Sequence, residues 1–211
     1  MARRTLSLTA VITTVAALLL TACGGSDDSS SGDIKGADTA SRTPSASASV
    51  PGGGAKRPEV TIPKSFTLDF KTWTSGDPVE QAVLNDGKQR YRATIAAIIA
   101  GDPKADYLAF YNVGGALSTG QAYVKGYSDK NLTLIGKATV SDPKVTLLDK
   151  ERATLIYCVD EGQGYTKDRK TGAEEGTPKD VNPHVQYVTG LRLDPDGIWK
   201  TADVRTQRGR C

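Results

Sequence analysis

Apolar positions recur with two rhythms in the C-terminal three quarters of the chain. In "KSFTLDFKTW", Phe66, Leu68 and Phe70 alternate with Thr67 and Asp69, which predicts a strand. The period then lengthens. Asp77 suits an N-cap, Pro78 the first helical position and Glu80 the third, an Asp version of the capping box. Leu84, Tyr91, Ile95, Ile98 and Ile99 line one face of the predicted helix, and Gly101 supplies a left-handed stop. Asp102-Pro103 opens a short second helix carrying Tyr107, Leu108 and Tyr111, which Gly114-Gly115 breaks. Leu117, Val124 and Tyr127 mark a third helix ending near Asn131.

Beyond Asn131 the period falls to two. "LTLIGKATV", "KVTLLD", "RATLIYCVDE", "HVQYVTGLRLD" and "GIWKTADVRT" read as strands. Asp142-Pro143, Asp149 to Arg152 and Pro195-Asp196-Gly197 read as the turns between them. Gly162 to Pro183 reads as a long polar connection, with a short strand at Tyr165–Lys167. Helices followed by consecutive strands predict an α+β domain, its helices covering the concave face of a bent antiparallel sheet.

The first 59 residues follow neither rhythm. Arg3 and Arg4 precede an apolar run whose core, Val11 to Leu20, falls short of the roughly 20 residues a bilayer span needs. A charged start, short apolar middle and small-residue end predict an export signal over 1–22. Its end, Leu20-Thr21-Ala22-Cys23, resembles the bacterial lipobox, which implies that Cys23 is lipidated and becomes the new N-terminus. A diacylglyceryl thioether, with acyl chains of the palmitate type, supplies the two chains that stable anchoring takes. From 23 to 59 the chain is dominated by Gly, Ser, Ala, Thr, Asp and Pro, the composition of a disordered linker. Such a linker spans roughly 30–35 Å. The folded domain is expected over 60–211.

Charge excludes one class of partner. Loss of 1–22 removes Arg3 and Arg4 and no acid, so 27 basic residues become 25 against 24 acidic ones, a net +1. "DRKTG" and "RTQRGRC" are short and mixed, not the basic stripe of a nucleic-acid binder. Three cysteines are present. With Cys23 assigned to lipid, Cys158 and Cys211 remain, and an exported protein with one such pair invites a disulfide. Closing a loop of about 53 residues would contribute about 4 kcal/mol and pin the C-terminus. The alternatives are two free thiols with Cys158 buried in its strand, or a nucleophilic Cys158.

The helix-then-strand order resembles the NTF2-like cone. Closer still, "GDP" before the first helix, "AFYNVGGALSTGQAYVKGYSDKNLTLIGKATVSDPKVTL", "YCVDE", "YTKDRKTG" and the terminal "GRC" resemble secreted lipoproteins of actinobacteria, the streptomycete type above all. The resemblance covers nearly all of residues 60–211 and carries no catalytic residue set. It implies lipidation at Cys23 and pairing of Cys158 with Cys211.

NTF2-like folds also include isomerases, dehydratases and cyclases that use an Asp or an Asp–His pair inside the cone. The best such pair here is Asp160 with His184, the one histidine of the chain. Cys158 and Asp160 share a strand face, so a covered Cys158 would aim Asp160 at the pocket mouth. Tyr91, Tyr107, Tyr111, Tyr123, Tyr127 and Tyr157 fall on helices or a core strand, and a pocket is expected around Tyr91, Tyr111, Tyr127, Asp160 and His184. Trp73 and Trp199 read as packing anchors, Trp73 being the better candidate for an exposed contact. No P-loop, dinucleotide fingerprint, His/Cys metal spacing or calcium loop is present, so no cofactor or metal is expected.

These features lead to a domain held by a lipid anchor on the outer face of the cell membrane, binding a small ligand, a wall component or an envelope protein without catalysis. The competing expectation is a small isomerase- or cyclase-type enzyme using Asp160 or His184. A third is a structural spacer, against which an open, tyrosine-lined pocket would count.

Overall fold

The computed structural model describes residues 55–211. Cys23, the export signal and most of the linker lie outside the described residues.

Strand β1 (Phe66–Phe70) leads into helices α1 (Pro78–Ala100), α2 (Asp106–Tyr111) and α3 (Gly114–Asp129). Strands β2 (Leu132–Leu147), β3 (Arg152–Asp168), β4 (Glu174–Gly176), β5 (His184–Leu193) and β6 (Trp199–Arg208) follow. The sheet order is β1-β2-β3-β5-β6, with β4 paired to β3. Only β1 runs parallel to its neighbour; the other pairings are antiparallel. The α+β cone expected from the sequence is the fold, with helices packed on a curved sheet.

Helix α1 forms where its caps predict. The Asp77 carboxylate accepts from the amides of Val79 (2.8 Å) and Glu80 (2.9 Å). Glu80 does not close the box on Asp77 itself. It accepts from Ser75 Oγ at 2.7 Å, and that hydroxyl in turn accepts from the Asp77 amide. At the far end Gly101 adopts φ 72°, and the Asp102 amide closes on the Ala97 carbonyl. Arg169, arriving from the β3–β4 turn, donates to the carbonyls of Ile98 and Ile99, so two orphan acceptors of the last turn of α1 are satisfied from across the domain.

Four boundaries differ from expectation. Helix α2 starts at Asp106, and the break before α3 falls at Asn112-Val113, with Gly114 already helical. Asp142-Pro143 is no turn: β2 runs through it as one strand of 16 residues. Its pairing with β3 shifts between Ser141 and Lys144, so the Asp-Pro dipeptide marks a bulge, where a missing N–H costs nothing. The polar segment after Glu161 begins as strand, the continuation of β3 to Asp168, and includes β4. Gln163 to Asp168 pair with the first half of β2, and Tyr165–Lys167 pair also with β4.

The main core lies between α1 and the sheet and joins Val83, Leu84, Tyr91 and Ile95 to Val140, Leu155, Tyr157 and Val159. Trp73 belongs to it, only 7% exposed and edge-on to Tyr157, a packing anchor as expected and not an exposed contact. Trp199 is a buried anchor as expected. Along β3, Ala153, Leu155, Tyr157 and Val159 face this core, so Cys158 points to the opposite, outer face. There it joins Cys211 in a disulfide, their Cα atoms 5.8 Å apart. That pairing removes the free-thiol and nucleophile alternatives.

An ion pair between the half-exposed Arg57 and the buried Asp86 ties the start of the domain to this core. Asp86, 1% exposed, accepts from Arg57 Nε and Nη2 and from the Trp199 amide at 2.9 Å. Burial holds its carboxyl above the usual value, against the opposing pull of the amide and the guanidinium. Because the folded state keeps this proton more readily than the unfolded chain, the group favours folding at low pH and loses that contribution as pH rises through its raised value. Without Arg57 the ionised carboxylate is left with one amide. Arg57→Ala should therefore cost about 1–3 kcal/mol at pH 7.5 and progressively less toward pH 4, read by urea unfolding of the full chain. A loss independent of pH would contradict this account.

Candidate functional site

The curved sheet does not lie flush against the helices. Between α1, α3 and the inner faces of β2, β3, β5 and β6 it leaves a cavity of about 900 Å³. That volume falls in the range of small-molecule sites.

Each wall follows from a local pattern. Helix α1 presents Arg90, Tyr91, Thr94 and Ile95, two adjacent pairs one turn apart. Helix α3 contributes Ala116, Thr119 and Gly120, then Tyr123 and Tyr127. The small residues hold this wall back from the sheet, and the two tyrosines close one side. Their hydroxyls lie 3.2 Å apart and their rings meet edge-on. Tyr187 rises from β5, stacked parallel on the buried Tyr157 at 5.0 Å and edge-on to Tyr91. At the mouth Glu161 accepts from Arg208 at 2.8 Å, with Lys130 and Glu175 on the rim.

These phenols are donors, not bases. Burial pushes the hydroxyls of Tyr91, Tyr123 and Tyr187 above the usual range, and the Glu161 charge and neighbouring tyrosines add to the shift. Tyr123 is about half exposed overall, and its hydroxyl lies against that of Tyr127 in the cavity wall. Tyr157 is also raised by burial, partly offset by the nearby Arg90 charge, although its hydroxyl has no aligned hydrogen-bond partner among the described residues.

Arg90 is the other polar group at depth. It is 6% exposed, and its Nε donates to Asn112 Oδ1 at 3.1 Å. Asn112 is itself buried and donates to the Leu108 carbonyl, which fixes its amide.

The sequence-derived site residues divide. Tyr91 and Tyr127 line the cavity as expected. Tyr111 does not: it is 1% exposed, packed among Val60, Ala93 and Ile198 on the other side of α1. Asp160 and His184 do not either. They pair in register on β3 and β5, on the outer face that carries Cys158. His184 Nε2 stands 3.9 Å from Asp160 Oδ2, both side chains about half exposed. The expectation assumed that Cys158 faces the covered side. It faces out, and the neighbouring acid, Glu161, is the one that reaches the cavity. Arg90, Glu161 and Tyr187 escaped sequence reasoning. The inward series Ala153, Leu155, Tyr157, Val159 would have pointed to Glu161.

Among the described residues no group of His, Cys, Asp and Glu is placed to hold a metal ion. No described helix is long and apolar enough to cross a membrane.

No protein-family model matches the chain, and no curated protein matches it. Solved structures resemble it at low identity. The intermembrane-space region of the chloroplast protein ARC6 is 12% identical over 61% of this chain and 96% of that one, with a TM-score of 0.45. Aln2 from a Streptomyces species is 12% identical over 64% and 94%, with a TM-score of 0.45. An NTF2-like protein of unknown function in nutrient uptake from Rhodospirillum rubrum is 16% identical over 57% and 93%, with a TM-score of 0.38. Likenesses of this size are no guide to a ligand.

The raised phenols have a measurable consequence. An unfolded chain loses its tyrosine protons near pH 10 while the folded one keeps them, so stability should fall as pH rises beyond about 10. Absorbance at roughly 295 nm, followed with circular dichroism, should show the cavity tyrosines ionising only together with unfolding. Ionisation of all eight tyrosines in a chain that stays folded would contradict the placement.

Proposed function

We propose that residues 60–211 form a binding domain that holds one small, ring-containing molecule in the cavity and does not transform it. The observation that carries this reading is the cavity of about 900 Å³ with its tyrosine walls. A domain serving only as a spacer gains nothing from such a space, and close packing ordinarily removes it. The non-catalytic half of the reading rests on the inventory inside. The tyrosines are held protonated, Glu161 at the mouth is tied to Arg208, Glu175 stays on the rim, and the Asp160–His184 pair lies on the outer face.

The domain is further proposed to sit outside the cell, tethered through Cys23 by the linker. Support comes from the Arg-rich start, the short apolar run and the Leu-Thr-Ala-Cys sequence. The Cys158–Cys211 disulfide fits an oxidising compartment. On this reading the chain captures its ligand at the membrane surface.

Gly120 offers a direct test of the cavity. It lines the space, and a Cβ there would meet no other atom, so Gly120→Phe should fill the cavity without a backbone clash. Neutral ring compounds such as 2-naphthamide should raise the Tm of the full chain and leave that of Gly120→Phe unchanged. A screen of such compounds with no shift in either chain would overturn the reading. For the tether, Cys23→Ser should move the chain from the membrane fraction into the medium. Retention on the membrane after that change would contradict lipid anchoring.

A further inference from the structure

An apolar ring is only part of what the cavity is built to receive. Arg90 lies at its deep end, more than nine-tenths buried. Its Nε is taken by Asn112, whose own amide is fixed by the Leu108 carbonyl. Among the described residues no carboxylate pairs with it, and the only protein group that offers its terminal edge a hydrogen bond is the neutral Tyr157 hydroxyl. Of the two carboxylates that line the cavity, both at its mouth, Glu161 is committed to Arg208, and Glu175 stands on the rim.

An unpaired cation in so dry a position is costly, and buried guanidinium groups are ordinarily neutralised by a counter-ion. Here the surrounding protein supplies only neutral phenols. The free edge of Arg90 is a fork of two nitrogens, which matches the two oxygens of a carboxylate. A single cation suits a monoanion; a phosphate dianion would call for a second charge at the same depth. The rings of Tyr91, Tyr123, Tyr127 and Tyr187 flank the space through which such a molecule would extend. Aromatic groups of this kind pack edge-on or offset against a flat ligand.

We propose that the ligand is a small aromatic or alicyclic carboxylic acid, bound with its carboxylate on the terminal nitrogens of Arg90 and its ring among the tyrosines. This assignment rests on the reading of the cavity as a ligand site and adds the chemistry of the occupant.

A pair of probes matched in shape separates the two claims. 2-Naphthoate and 2-naphthamide differ in charge and little else. Calorimetric titration of the full chain should show naphthoate binding roughly tenfold or more tightly than the amide, the advantage of charge-assisted bonds. Arg90→Met should erase that preference while keeping the amide affinity, and Arg90→Lys, which keeps the charge without the fork, should fall between. Equal binding of both probes to the native chain overturns the carboxylate assignment and leaves the cavity reading standing. Binding of neither overturns both. A preference that survives in Arg90→Met removes Arg90 as the anchor. The comparison of the two probes on the native chain needs no variant, so it decides even if Arg90→Met does not fold.

Discussion

The bend in β2 is the constraint from which the cavity follows. A straight strand of 16 residues beneath α1 and α3 would bring sheet and helices into contact along its whole length. Instead the pairing of β2 with β3 shifts twice, between Lys137 and Thr139 and again between Ser141 and Lys144. Gly136, just before the first irregularity, has φ 93°, and a Cβ there would collide with the Gln163 carbonyl oxygen. No other residue fits that position without moving β3. Bulges sharpen local twist and curl the strand, so one end of the sheet holds the core and the other draws away from the helices. Core and cavity are thus two ends of one sheet face.

The helix over that face must then serve two environments. Toward its start α1 packs tightly, with Val83 and Leu84 buried against the sheet and Asp86 held by Arg57 and the Trp199 amide. Two turns later the same face borders the cavity, and the residues there are Arg90, Tyr91 and Thr94. The polar atoms at this end are mostly donors: one guanidinium and several phenols that keep their protons. Acceptors are concentrated at the mouth. The field inside therefore favours an occupant that brings negative charge to the depth and an apolar ring to the middle.

Much of the fold was legible from residue patterns. The caps of α1, the alternation of β1, β5 and β6, and the order of helices before strands all follow from local chemistry that the tertiary structure leaves in place. The misses have physical reasons. Asp142-Pro143 serves equally in a turn or a bulge, and only the pairing partner decides which. Gln163 to Asp168 lack an apolar alternation because this end of β3 borders the mouth rather than the core. At the site, one step of parity on β3 separated Asp160 from Glu161. The inward face of β3 belongs to Leu155, Tyr157 and Val159, not to Cys158. Arg90 drew no notice, standing between the polar Gln89 and Tyr91. It lies on the line of Val83, Gly87, Thr94 and Ala97, a row of small or apolar residues at helical spacing, and that row is the signal that it faces inward.

The central claim is that this space stands open and presents Arg90 to an organic anion. Diffraction from crystals of the full chain soaked with 6-bromo-2-naphthoate tests it most directly. The account predicts an anomalous bromine peak between α1 and α3 and the carboxylate in contact with the terminal nitrogens of Arg90. A space filled by Tyr123 and Tyr127, with Arg90 paired to a carboxylate of the protein and no bromine inside, would contradict it.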